Sequence, residues 1–136
     1  MSHFTRLRVK IADAQCLVSA LATLGLEAEI LHEPMFVRSY VGDNTAQKVN
    51  VILRREKMGG NCSDIGWMVQ DGEAECHADE YHNSRIHALG GLQTFFKKVA
   101  QEYSVEVIKK QARASGQIAT RVNDPKTGKV RVLVGC

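Results

Sequence analysis

Twelve residues, CHADEYHNSRIH from Cys76 to His87, gather one cysteine, three histidines, two acids and an arginine. They offer donor atoms for zinc or a transition metal, and proton carriers that titrate near neutrality. Their spacing is less favourable. On a strand Cys76 and His77 point to opposite faces, and His82 and His87 are five apart, which does not place them on one helical face. Structural zinc also uses paired ligand clusters, and only Cys62 or His32 is left to supply a second one. Cys76, His82 and His87 are the candidates if a metal is held, but the pattern predicts neither metal nor other cofactor. Acid/base chemistry has Asp79, Glu80, His82 and His87 available. No nucleophile with its base and orienter accompanies them, so enzymatic activity is the weaker expectation. The segment reads as an acidic strand end and a solvated polar turn.

A second candidate is RREKMGGNCSD, Arg54 to Asp64, where backbone N–H groups and positive charge meet at Gly59 and Gly60. Neither GxxxxGK[ST] nor GxGxxG is present, so a wide turn using positive φ is expected rather than a phosphate cradle. A third is the basic face Arg6, Arg8 and Lys10, which suits nucleic-acid phosphates but lacks interleaved aromatic residues.

The elements that must carry these groups follow from periodicity. Alternation from His3 to Ile11 predicts a strand, with Asp13 capping a short helix that stops at Gly25. Ala28 to Glu33 is expected as a strand ended by Pro34, with a second strand over Met35 to Val41. Gln47 to Arg55 should be central, with Val49, Val51 and Leu53 on one face and Ile52 on the other. Ile65 to Gln70 and Glu73 to Ala78 flank Asp71-Gly72, a hairpin signal, and Ala74, Cys76 and Ala78 share a face. A long helix runs from about Leu89 to Leu92 as far as Ala114, with Leu92, Phe95, Phe96, Val99, Tyr103 and Val107 as its apolar stripe. Gln117 to Val122 and Lys129 to Val134 form a last hairpin around Pro125 and Gly128. The order implies an α+β fold, a largely antiparallel sheet with two packed helices in a single domain over residues 1–136.

Composition supports this frame: 44% hydrophobic residues over 136 positions supply an ordinary core, and the formal charge is +3. The charge is unevenly spread, with five acids between Asp71 and Glu80 and nine basic residues between Lys97 and Arg131, an asymmetry able to steer a charged partner. Cys16, Cys62, Cys76 and Cys136 form no CxxC pair, and MSHFTRLRVK does not read as a secretory leader. Free thiols in a cytoplasmic setting are expected, or in the stroma if the chain is plastid-encoded, with no membrane span.

MSHFTRLRVKIADAQCLVSALATLG, YVGDN, VNVILRREKMGGNCSDIGW and DEYHN together resemble a small family of conserved hypothetical proteins of cyanobacteria and some algal chloroplast genomes, also present in other bacteria. The most specific pieces are Met1 to Phe4, and Arg54 and Arg55 followed by Ser63 to Trp67. The resemblance covers nearly the whole chain and implies no established activity. It implies an accessory or adaptor protein acting beside an AAA-type ATPase. We therefore expect docking on a protein partner, with Arg54, Arg55, Asp64 and Trp67 near the recognition surface. Nucleic-acid binding through Arg6, Arg8 and Lys10 is the alternative, and a small metal-dependent or acid/base enzyme the lesser one.

Overall fold

The computed structural model describes residues 4–136. Met1 to His3, which include the expected start of the first strand and most of the MSHF motif, lie outside them. The elements are β1 (Thr5–Val9), α1 (Ala14–Thr23), β2 (Glu29–Arg38), β3 (Asn44–Leu53), a 3-10 turn (Arg55–Met58), β4 (Ile65–Gln70), β5 (Glu73–Ala78), α2 (Ser84–Ala88), α3 (Leu92–Ala114), β6 (Ile118–Asn123) and β7 (Val130–Gly135). The fold is α+β. Five strands form an antiparallel sheet in the order β1-β5-β4-β3-β2, and β6 and β7 form a separate two-stranded ribbon.

Local chemistry explains most boundaries. Asp13 caps α1 by accepting the Cys16 N–H at 3.0 Å, and Gly25 follows the last turn at φ 79°, a left-handed exit that glycine takes without a Cβ penalty. Asp71 and Gly72 both have positive φ, 55° and 79°, as a two-residue hairpin turn between β4 and β5 requires. The core lies between one sheet face and the helices: Leu17 and Leu21 of α1 and Phe95 and Val99 of α3 meet Val51, Leu53, Ile65, Trp67, Ala74, Cys76 and Ala78. α3 follows the expected span and stops before Gly116.

Three expectations are corrected. Pro34 does not divide two strands. It sits within one long β2 whose register shifts between Ile30 and Met35, and an edge strand tolerates both the missing N–H and the bulge. Secondly, Val49 does not share a face with Val51 and Leu53. It joins Val37 and Ile52 in a smaller cluster on the other side of the sheet. There the Asn50 side chain takes over from the β3–β4 ladder, donating to Val69 O and accepting from Val69 N, both at 2.8 Å. Thirdly, a short helix, α2, joins the two expected ones.

The Val49 side chain is accommodated by a missing one. A Cβ on Gly66 would come within 2.6 Å of Val49 Cγ1 and Cγ2, closer than packed atoms allow. Gly66→Ala is therefore expected to cost about 2 kcal/mol through overpacking, read as a lower urea midpoint. Adding Val49→Ala should make the double variant more stable than the sum of the two single losses.

Candidate functional site

The loop after β3 is organised by one carboxylate. Asp64 is fully buried and accepts four hydrogen bonds: from Arg38 N and Nε at 2.8 and 2.9 Å on Oδ2, and from Arg38 Nη2 and Arg55 N at 3.0 and 2.7 Å on Oδ1. Arg38 also reaches Glu56 Oε1 at 2.6 Å, and its guanidinium is held even more firmly protonated than usual, chiefly by the hydrogen bonds it donates to Asp64. Arg55 donates to Cys62 O at 2.9 Å and Tyr40 O at 2.8 Å, so the loop is wrapped around its guanidinium. Arg54 forks onto Glu29 at 2.8 and 3.2 Å. Trp67 is 1% exposed and tilts against Phe95 with ring centroids 6.3 Å apart.

Of the four residues expected near a recognition surface, two are buried and two are partly exposed. Asp64 and Trp67 are interior, Arg55 is spent on backbone carbonyls, and Arg54 is half-buried in an intramolecular pair. The RR…SDIGW pattern is a structural clasp. Arg38, which closes it, lies 26 positions from Asp64 and was not singled out by the sequence; an arginine at the end of an edge strand was the available signal.

The opening segment is also less solvated than expected. Asn83 is fully buried and caps α2 by accepting from Ile86 N at 3.0 Å, while Ile86 enters the core. Glu80 accepts the Leu92 N–H at 2.9 Å, satisfying a donor at the start of α3 where the N-cap, Gly91, has no side chain. Asp79, Glu80, His82 and His87 border a cleft of about 380 Å³. His82 meets Tyr81 edge-on at 4.2 Å, and Tyr81 meets Tyr40 at 5.0 Å. Cys76 faces the core with its thiol pushed far up by burial, away from the exposed His82 and His87. Those three do not converge, and among the described residues no three histidine, cysteine or acidic side chains gather as a metal site would need.

Of the basic trio, Arg6 and Arg8 project from the open sheet face with side chains 67% and 80% exposed, each near Glu75 at 3.8 and 3.6 Å. Lys10 follows the end of β1 and lines a different cleft, beside α3, so the expected three-residue face is reduced to two. His77 is not outward in water either: it is 3% exposed, with Nε2 3.1 Å from Glu75 Oε1. Burial lowers its pKa from the ordinary 6.5, with Glu75 opposing the shift.

The chain belongs to the DUF1257 family. The profile of that family of proteins of unknown function matches residues 20–133. The chain is also 26% identical over 134 residues to the uncharacterised protein ycf35 of Pyropia yezoensis, covering 98% of this chain and 96% of that protein. Both findings bear out the resemblance to a family without an established activity that reaches into algal chloroplast genomes. No solved structure matches the chain significantly. No helix among the described residues is long and apolar enough to cross a membrane.

Two measurements check these assignments. Asp64→Asn turns an NH2 group toward donors and leaves Arg38 short of its counter-charge, so it should lower unfolding free energy by about 3 kcal/mol in a denaturant titration. For His77 the lowered pKa means that the unfolded chain binds the extra proton first as pH falls through 6.5. Its contribution to stability is complete above that pH and is lost below it. His77→Gln should flatten the decline of thermal midpoint between pH 7.5 and 5; an unchanged slope would refute the assignment.

Proposed function

We propose that this DUF1257 protein is an accessory or adaptor protein that docks on a larger protein through the outer face of the β6–β7 ribbon. The observation that carries this is an apolar face left in water. Ile118 is 68% and Leu133 60% exposed, with Val122 at 40% beside them. Thr120 pairs with Leu133 and Val122 with Arg131 across the ribbon, so these side chains share one surface. Adjoining apolar side chains in water are a mark of interaction sites. Lys126, Lys129 and Arg131 are exposed around it, which suits a partner with an apolar patch rimmed by carboxylates.

The ribbon is rigid enough to present that face. Its inner side carries Arg121, which pairs with Glu102, a carboxylate 5% exposed within the apolar stripe of α3. A two-stranded ribbon alone is marginal in water, and this ion pair ties it to the longest helix. An AAA-type ATPase is the partner class that the resemblance implies, in the cytoplasm, or in the stroma where the chain is plastid-encoded. The exposed pair Arg6 and Arg8 keeps nucleic-acid binding as the second reading, on the opposite side of the sheet from the main core.

Affinity capture from the native organism tests the first reading. The wild-type chain should retain one ATPase in stoichiometric amount; Ile118→Glu with Leu133→Glu should reduce retention at least tenfold while the thermal midpoint is kept, and Arg6→Gln with Arg8→Gln should leave it intact. No ATPase on the wild-type chain, or equal retention by the ribbon variant, would sink the docking reading. Saturable, salt-sensitive binding of nucleic acid that is lost with the Arg6 and Arg8 changes would favour the second.

A further inference from the structure

A cleft of about 270 Å³ opens between β1, one edge of the sheet, and α3. Leu7 and Val9 line it from the strand, and Phe96 and Val99 from the helix. Trp67 and Cys76, both buried, also line it, so the cleft reaches the main core. A cavity of this kind, apolar with a few placed polar groups, is the usual form of a small-molecule site.

Two residues of its lining carry polar ends. Lys10 is exposed on that lining and has no ion-pair or hydrogen-bond partner among the described residues. It is a cation at the edge of an apolar surface. The Tyr103 hydroxyl accepts from Ala12 N at 3.0 Å and Asp13 N at 3.1 Å. Those bonds occupy both oxygen lone pairs, leaving the O–H proton as the group's remaining capacity. They also polarise the hydroxyl, making it a stronger donor. An ammonium and a hydroxyl donor bordering an apolar cavity call for one anionic acceptor attached to an apolar body. At about 30 Å³ per water-sized group, the cavity holds a body of about nine such groups.

We propose that this cleft binds a small amphipathic monocarboxylate, a medium-chain acyl acid whose carboxylate meets Lys10 and the Tyr103 hydroxyl while its chain lies against Phe96, Val99 and Trp67. The proposal is independent of the ribbon surface and of any partner bound there.

Trp67 is the only tryptophan of the chain, so its emission reports occupancy of the cleft directly. Decanoate, titrated below its micelle-forming concentration into the full-length protein, should change Trp67 emission saturably. Decanol, with the same chain and no charge, should bind at least about tenfold more weakly, as loss of a charge-assisted contact implies. Lys10→Gln, at an exposed position, should lower decanoate affinity to that of decanol and leave decanol unaffected. Ala100→Phe, at an exposed position on α3 that lines the cleft, should abolish both. The proposal is overturned if emission stays flat up to millimolar decanoate, if Lys10→Gln binds decanoate as well as wild type, or if Ala100→Phe still binds while retaining its fold.

Discussion

A carboxylate taken out of water must have its charge matched and its lone pairs filled, and Asp64 meets that demand only if three separated pieces of chain come together. Its oxygens are satisfied by the end of β2, through the backbone and side chain of Arg38, and by the first residue of the 3-10 turn, through Arg55 N. The Asp64 N–H in turn donates to Arg38 O at 2.9 Å. Edge strand, loop and the entry to β4 are thereby fixed to one another. Removing a partner from such a cluster leaves a buried charge exposed to low dielectric, a larger loss than the pair's own net attraction.

The consequences spread along the sheet. With β2 pinned at its end, the extra residues around Pro34 have to be absorbed as a bulge rather than by sliding the strand. β3 responds by turning Val49 to the opposite face, into the space that Gly66 leaves empty. The helix-covered face then closes as a continuous core, while the other face keeps a small apolar cluster at the β2–β3 end and the polar group Arg6, Arg8, Glu75 and His77 toward β1. The acidic run from Asp71 to Glu80 is thus partly neutralised by β1. The basic run from Lys97 to Arg131 meets Asp13, Glu102 and Glu106 instead.

Legibility in the sequence followed the range of the interactions. The α1 cap at Asp13, the Asp71-Gly72 turn and the span of α3 depend on neighbours within a turn or two, and periodicity with capping chemistry was enough to place them. Asp64 and Trp67 were expected near a recognition surface, yet their surroundings depend on Arg38 and Phe95, distant in sequence, and both side chains are buried there. Val49 obeyed strict alternation on paper, but a side-chain bridge from Asn50 to Val69 replaced the ladder bonds that alternation presumes. Glu102 carried a legible signal of another kind. A carboxylate within an apolar helical stripe requires a cation from elsewhere, and Arg121 supplies it.

The same accounting separates residues that hold this protein together from residues left over to do something. Arg54, Arg55, Asp64, Glu80 and Asn83 look reactive in the sequence, but each has its bonds completed inside the chain. What remains is of two kinds: apolar area on a ribbon with no third strand, and an apolar cleft with a cation at its edge. Both lie where the five-stranded sheet does not extend, beyond α3 in one case and along the β1 edge in the other. Folding stability gives no reason to leave Ile118 and Leu133 in water, since exposed apolar area contributes nothing to the core. The exposed apolar area of the ribbon and the apolar lining of the cleft are the features on which the proposed protein and small-anion contacts rest.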